Sequence, residues 1–231
     1  MNIENRIVNH LILNINSCNN LGLLHGQLGC ILTLYDYSAY SADELYSTIA
    51  DDLLLSNYSF LPSNLEYGLE NGLLGIGWGL SYLIYKGHIC CSDDLFEEID
   101  KYVMQNDTTR IRDFSIENGL RGLIHYILSR ISIFKFGKGI YPFDSLFLDN
   151  LYSVIIRKLK EEYPVVGTEY NLYRKFYEEG IVDYKFGLDC FIEGVLMSDI
   201  ELASYPLGIK QGLCGVLLNK IDKRYENFIC D

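Results

Sequence analysis

Four short segments of this chain are variations on one another: His25-Gly26-Gln27-Leu28-Gly29, Asn71-Gly72-Leu73-Leu74-Gly75, Asn118-Gly119-Leu120-Arg121-Gly122 and Gln211-Gly212-Leu213-Cys214-Gly215. Each is a polar residue, a G-x-x-G, and then an apolar run: CILTLY, IGWGLSYLIY, LIHYIL and VLLNKI. The leading glycines, at 26, 72, 119 and 212, are 46, 47 and 93 residues apart. The last interval is about twice the others, which places a degenerate unit near Val165 to Thr168. Self-similarity at a period of this size signals a repeat architecture, each unit holding two helices and their connections.

The intervening segments read as helices with polar outer faces. Ser41-Ala-Asp-Glu44 has the form of a capping box ahead of LYSTIADDLLL. Ser92-Asp-Asp opens LFEEIDKYVM with acidic residues at the positive end of the helix dipole. Residues 144–163, DSLFLDNLYSVIIRKLKEEY, form a third amphipathic pattern, acidic first and basic towards its end. The glycine-rich helices are apolar all round, so they belong inside. Each interior glycine costs a helix about 1 kcal/mol relative to alanine. Glycines at i and i+3 share a face, and removing those side chains lets neighbouring backbones close up and offsets that cost. Helical hairpins with a buried inner layer predict an all-α chain, either an open solenoid or a closed α/α toroid. The inner helices keep no polar face for a solenoid to expose. The expectation is one domain over 1–231, a small or partial toroid of about five hairpins.

Composition narrows the function. With 231 residues, 49% of them hydrophobic, and four prolines, a large core is within reach. The first residues, MNIENRIVNHLILNINS, lack the form of a signal or transit peptide, and the longest apolar run, Leu73 to Tyr85, is too short and too glycine-broken to cross a bilayer. A cytoplasmic protein without membrane insertion is expected. Seven cysteines, an odd number, show neither Cys-x-x-Cys nor a paired histidine spacing, so reduced core thiols are expected. A formal net charge of −12 disfavours nucleic acid, whose phosphates need clustered Lys and Arg, and admits a neutral or basic partner. Nineteen tyrosines, several of them in EYNLYRKFYEE (169–179), suit either an outer helix or a contact surface. Residues 131–143, ISIFKFGKGIYPF, read as a loop beside it.

GLLHGQLG at 22–29, ENGLLGIGWGLSYL at 70–83, ENGLRGLIHYIL at 117–128 and QGLCGVLL at 211–218 resemble the inner-helix repeats of the lanthionine synthetase C-like superfamily. NGLLGIGWGLSYLI is similar in particular to short Bacteroidetes members. The resemblance implies an α/α toroid, in which the characterised cyclases use zinc to activate a peptide cysteine for addition to dehydroalanine or dehydrobutyrine. It implies zinc held by the cysteine of a Trp-Cys-Tyr-Gly motif and by both residues of a Cys-His-Gly motif. Neither motif occurs here. The matching positions hold Leu24-His25, Glu70-Asn71, Glu117-Asn118 and Lys210-Gln211, of which His25 alone keeps a family residue. Cys214 follows its glycine and reads as core. No metal ligand set is expected, and so no cofactor.

Convergence of the inner N-termini would put His25, Glu70 and Glu117 at one mouth as catalytic candidates. Asn71, Asn118, Lys210 and Gln211 would stand beside them, and Trp78, His125 and Tyr126 deeper. Two carboxylates and a histidine suit metal binding or proton transfer. The simpler reading has the same residues capping free helix N–H groups and complementing helix dipoles, with Trp78 and His125 in the core. Three functions follow: a peptide-binding superfamily member without the zinc motifs, acting near a peptide-modification or secretion pathway; a divergent cyclase or other toroid enzyme using Glu70, Glu117 and His25; or a structural subunit. The sequence does not set the oligomeric state.

Overall fold

The computed structural model describes residues 3–58, 65–90, 93–134, 142–161, 168–193 and 202–229. Among the described residues all regular structure is helical. The α-helices are α1 (Ile3–Asn14), α2 (Gln27–Ser41), α3 (Leu45–Tyr58), α4 (Leu73–Tyr85), α5 (Asp93–Met104), α6 (Leu120–Phe134), α7 (Ser145–Glu161), α8 (Thr168–Glu179) and α9 (Leu213–Ile229). Single 3-10 turns stand at Ile15–Ser17, Thr108–Arg110, Asp189–Phe191 and Leu202–Ser204. None of the described helices is long and apolar enough to cross a membrane.

Every G-x-x-G begins a helix, with the leading glycine immediately before α2, α4, α6 and α9. The free N–H groups at these starts are met by main chain. Gln27, Leu74, Leu120 and Leu213 donate to the carbonyls of Asn20, Tyr67, Asp113 and Pro206, each seven residues earlier, at 2.8, 3.2, 2.9 and 2.8 Å. The preceding turn thus curls back over its own helix and takes the place of side-chain capping at these N–H groups. This also explains the second glycine. A Cβ on Gly29, Gly122 or Gly215 would fall on the carbonyl oxygen of Leu23, Ile116 or Ile209, six residues earlier.

The chain divides into two compact units, Met1–Glu66 with Gly187–Asp231, and Tyr67–Phe186. In the first, α2 packs on α3 and α9, and α1 on α9. Its core includes Ile7, Leu11, Leu28, Ile31, Leu213 and Leu217, all at 0% exposure. Cys30 and Cys214 meet there, sulfur to sulfur 3.5 Å, so Cys214 is core as expected. In the second unit α4 packs on α6 and α5, and α8 on α6 and α7. Residues Leu74 to Leu83 of α4 are buried without a break, the pattern of an inner helix. A Cβ on Gly77 would strike the Tyr126 ring of α6, so this glycine does admit a neighbouring helix.

The outer helices differ in detail from expectation. Ser41 belongs to the last turn of α2, where its hydroxyl donates to the Tyr37 carbonyl (2.8 Å), and α3 is started by Asp43, whose Oδ1 accepts from Leu45 N (3.0 Å). Residues 41–44 are thus a helix end followed by an Asx turn, a competing use of the same residue types. Ser92 lies outside the described residues, and α5 begins at Asp93. The α7 N-terminus is capped by Asp144, which accepts from Phe147 N at 2.7 Å. Gly180 ends α8 in the left-handed conformation (φ 68°), its N–H bonded to the Phe176 carbonyl. Of the degenerate repeat, 165–167 lie outside the described residues and Thr168 opens α8; of the expected loop, 135–141 lie outside them.

Candidate functional site

The second unit gathers aromatic and titratable side chains around α4 and α6. Trp78, on α4, is fully buried and donates from Nε1 to the Tyr184 hydroxyl at 2.7 Å. His125, on α6, places Nδ1 2.8 Å from the same hydroxyl. An indole N–H only donates, so the Tyr184 oxygen accepts from Trp78, and the sense of its bond to His125 follows the imidazole tautomer. Burial pushes the His125 pKa down to about 4; Glu169 opposes this and Arg121 adds to it. Those two are themselves an ion pair, Arg121 Nε to Glu169 Oε1, with Glu169 buried at 3% exposure. A neutral imidazole joined to a phenol is an arrangement that can relay a proton.

Phe186 is the hub of the rings. Its centroid is 5.7 Å from Trp78, 6.3 Å from Tyr82, 5.3 Å from Tyr184 and 4.7 Å from Tyr85, the last stacked. Tyr85 is half-exposed, so the cluster opens to solvent at the end of α4. Tyr126 takes no part in the Tyr184 hydrogen bonds. It donates to Asp100 Oδ1 at 2.5 Å, and Asp100 also holds Arg130, whose Nη2 is 2.7 Å from Oδ2. The Arg130 guanidinium in turn lies 3.9 Å from the Phe96 ring centre. Asp100 and Arg130 are 4% and 6% exposed, so each neutralises a charge the other would otherwise leave buried.

The remaining sequence candidates stand on the turns ahead of the inner helices, and these turns meet in pairs. In the first unit the Leu24 carbonyl accepts from Ile209 N (2.8 Å) and Lys210 N (3.2 Å), and Gly208 packs against the His25 backbone. His25 is exposed there, Lys210 Nζ lies 3.8 Å from Glu193 Oε1, and Gln211 Nε2 donates to Glu193 Oε2 at 3.4 Å. In the second unit the Glu117 carbonyl accepts from Leu69 N (2.7 Å) and Glu70 N (2.9 Å), and Asn118 packs on Gly68. Glu70, Asn71 and Glu117 are part-exposed and Asn118 exposed. The structure thus groups His25 with Lys210 and Gln211, Glu70 and Asn71 with Glu117 and Asn118, and Trp78 with His125.

Sequence reasoning missed Tyr184, Phe186, Asp100, Arg130 and the Arg121–Glu169 pair. Tyr184 and Phe186 sit in an irregular segment, yet a period-two signal was there: Val182, Tyr184 and Phe186 are part-buried and alternate with exposed Asp183 and Lys185. The signal for the other two was present: Arg130 interrupts an apolar inner helix, and Asp100 falls on the buried face formed by Phe96, Ile99 and Val103.

A catalytic zinc needs three protein ligands and an open position. Among the described residues no three His, Cys, Asp or Glu side chains are placed to hold a metal ion, and Cys214 is sealed against Cys30. The described residues supply no such ligand set. Compared with known proteins, the chain matches no family model, no curated protein and no solved structure.

Proposed function

We propose that this chain is a lanthionine synthetase C-like helical repeat protein that binds a peptide without the zinc chemistry of the cyclases. The observation that carries the reading is the aromatic cluster centred on Phe186, buried at Trp78 and open at Tyr85. Large rings with few rotamers bury contact area at low entropic cost, which suits them to peptide recognition. The net charge of −12 favours a neutral or basic peptide. The toroid reading is supported by α2 and α9, which carry the first and last repeats and pack together within the first unit. An open solenoid keeps its terminal repeats apart, since each contacts only its neighbours.

Trp78 is the sole tryptophan and stands in the cluster, so its emission reports occupancy. Titration with synthetic 15-residue peptides, basic and acidic, should give a saturable change for basic peptides that Tyr85→Ala and Phe186→Ala weaken by about tenfold. Absence of any saturable change, or binding indifferent to both substitutions, would overturn the proposal.

A further inference from the structure

The first and last repeats meet inside the first unit, and main chain and side chains both hold the seam. The Leu24 carbonyl, on the turn before α2, accepts from Ile209 N and Lys210 N on the turn before α9. Just inside the two helices, Cys30 is the fourth residue of α2 and Cys214 the second of α9. Their sulfurs stand 3.5 Å apart, with the Cys214 thiol donating. Glycine admits the approach: Gly29 precedes Cys30, and a Cβ there would press on the Ile209 side chain as well as on its own turn. Two thiols 184 positions apart in the chain are thus presented to each other by backbone that is already hydrogen-bonded across the seam.

Both cysteines are at 0% exposure. The hydrogen bond from Cys214 and burial push the Cys30 thiol well above its ordinary pKa, so the thiolate that exchange chemistry requires is scarce while the seam is closed. Reaction therefore waits on local opening, which wets both groups without unfolding the whole chain. On reclosing, the sulfurs have little distance left to cover. A disulfide is about 2.05 Å long, so they must approach by about 1.5 Å, a movement comparable to ordinary thermal displacements in proteins.

We propose that Cys30 and Cys214 are a redox clamp, forming a reversible disulfide with a low-molecular-weight disulfide as oxidant and so locking the first repeat to the last. Two S–H bonds break and one S–S bond forms between the protein sulfurs. The two electrons and two protons pass to the small disulfide, which leaves as two thiols by way of a mixed disulfide. Once the bond is made, the segments Met1–Glu66 and Gly187–Asp231 that build the first unit can no longer part. The clamp involves the first unit alone and does not rest on the peptide-binding reading.

The test is oxidation of the full chain with glutathione disulfide, blocking of residual thiols with N-ethylmaleimide in denaturant, and peptide mass mapping without reductant. The expected product is a linked pair of peptides holding Cys30 and Cys214, two hydrogens lighter than the dithiol. Its Tm should be higher by about 5–10 °C, and dithiothreitol should reverse both changes. Cys214→Ala should abolish the link and the Tm rise together, and mapping of the unsubstituted chain decides the matter even where that variant fails to fold. Mixed disulfides at exposed Cys90 and Cys190, with Cys30 and Cys214 still taking the maleimide, would overturn the clamp. So would a link between other cysteines, or a Cys30–Cys214 bond that leaves Tm unchanged or lowers it.

Discussion

Trp78 and Tyr184, 106 positions apart, are joined by a 2.7 Å hydrogen bond from indole to phenol, and the same phenol reaches His125. One hydroxyl therefore ties α4, α6 and the segment after α8 together. Tyr184→Phe removes the acceptor of the buried indole N–H and the hydrogen-bond partner of His125 Nδ1. The expected cost is about 1–3 kcal/mol in urea unfolding, with a shift in Trp78 emission in the folded state. Tyr177→Phe is the control. Its hydroxyl bonds Asp149 on the surface, and its loss should change stability by less than about 0.5 kcal/mol.

His125 makes stability depend on pH. Its pKa, about 4 in the fold against 6.5 when unperturbed, means the unfolded chain binds the extra proton over that interval. More protons in the unfolded state make stability rise with pH, so this contribution is complete above about 6.5 and is lost as pH falls towards 4. At 1.36 kcal/mol per pKa unit, the full loss is about 3 kcal/mol. His125→Phe should flatten the Tm profile between pH 6.5 and 4. A wild-type profile already flat over that range would show that the imidazole is not held neutral by burial.

The inner helices were legible in the sequence because glycine spacing and apolar runs are local signals, and all four G-x-x-G motifs do open buried helices. The purpose of the glycines was only half legible. Gly77 admits the Tyr126 ring as helix packing requires, whereas Gly29, Gly122 and Gly215 make room for their own preceding turns. That curl depends on a carbonyl six residues upstream, which no residue type announces. Ser41 misled for a related reason: serine suits a helix end or a cap equally, and tertiary context chose the end. Of the site, Trp78 and His125 were in view, but Tyr184 was not. It joins them from irregular chain, where the alternation of Val182, Tyr184 and Phe186 with Asp183 and Lys185 marks an inward face but not what that face meets.

Gly77→Ala separates local from tertiary control. Alanine favours an isolated helix by about 1 kcal/mol, yet its methyl would strike the Tyr126 ring. The ring has little freedom to withdraw, because its hydroxyl is bound to Asp100. Overpacking costs about 1–3 kcal/mol, so net destabilisation in thermal or urea unfolding is expected. In the Tyr126→Ala background the obstacle is gone, and the same Gly77→Ala change should become neutral or stabilising. An unchanged cost there would place the clash elsewhere.

Asp100 carries the largest expected single effect, because two buried groups lean on one carboxylate. Arg130 and Tyr126 donate to it, and Arg130 lies over Phe96. Asp100→Asn leaves a guanidinium buried without its counter-charge, and breaking such a pair costs about 3–5 kcal/mol. The paired replacement Asp100→Leu with Arg130→Met removes both charges and should cost much less than the sum of the two single changes. Urea unfolding of the four proteins gives the coupling directly. Strong coupling would identify the pair as mutually neutralising, and additive single costs would mean that Arg130 is held chiefly by Phe96 and its other neighbours.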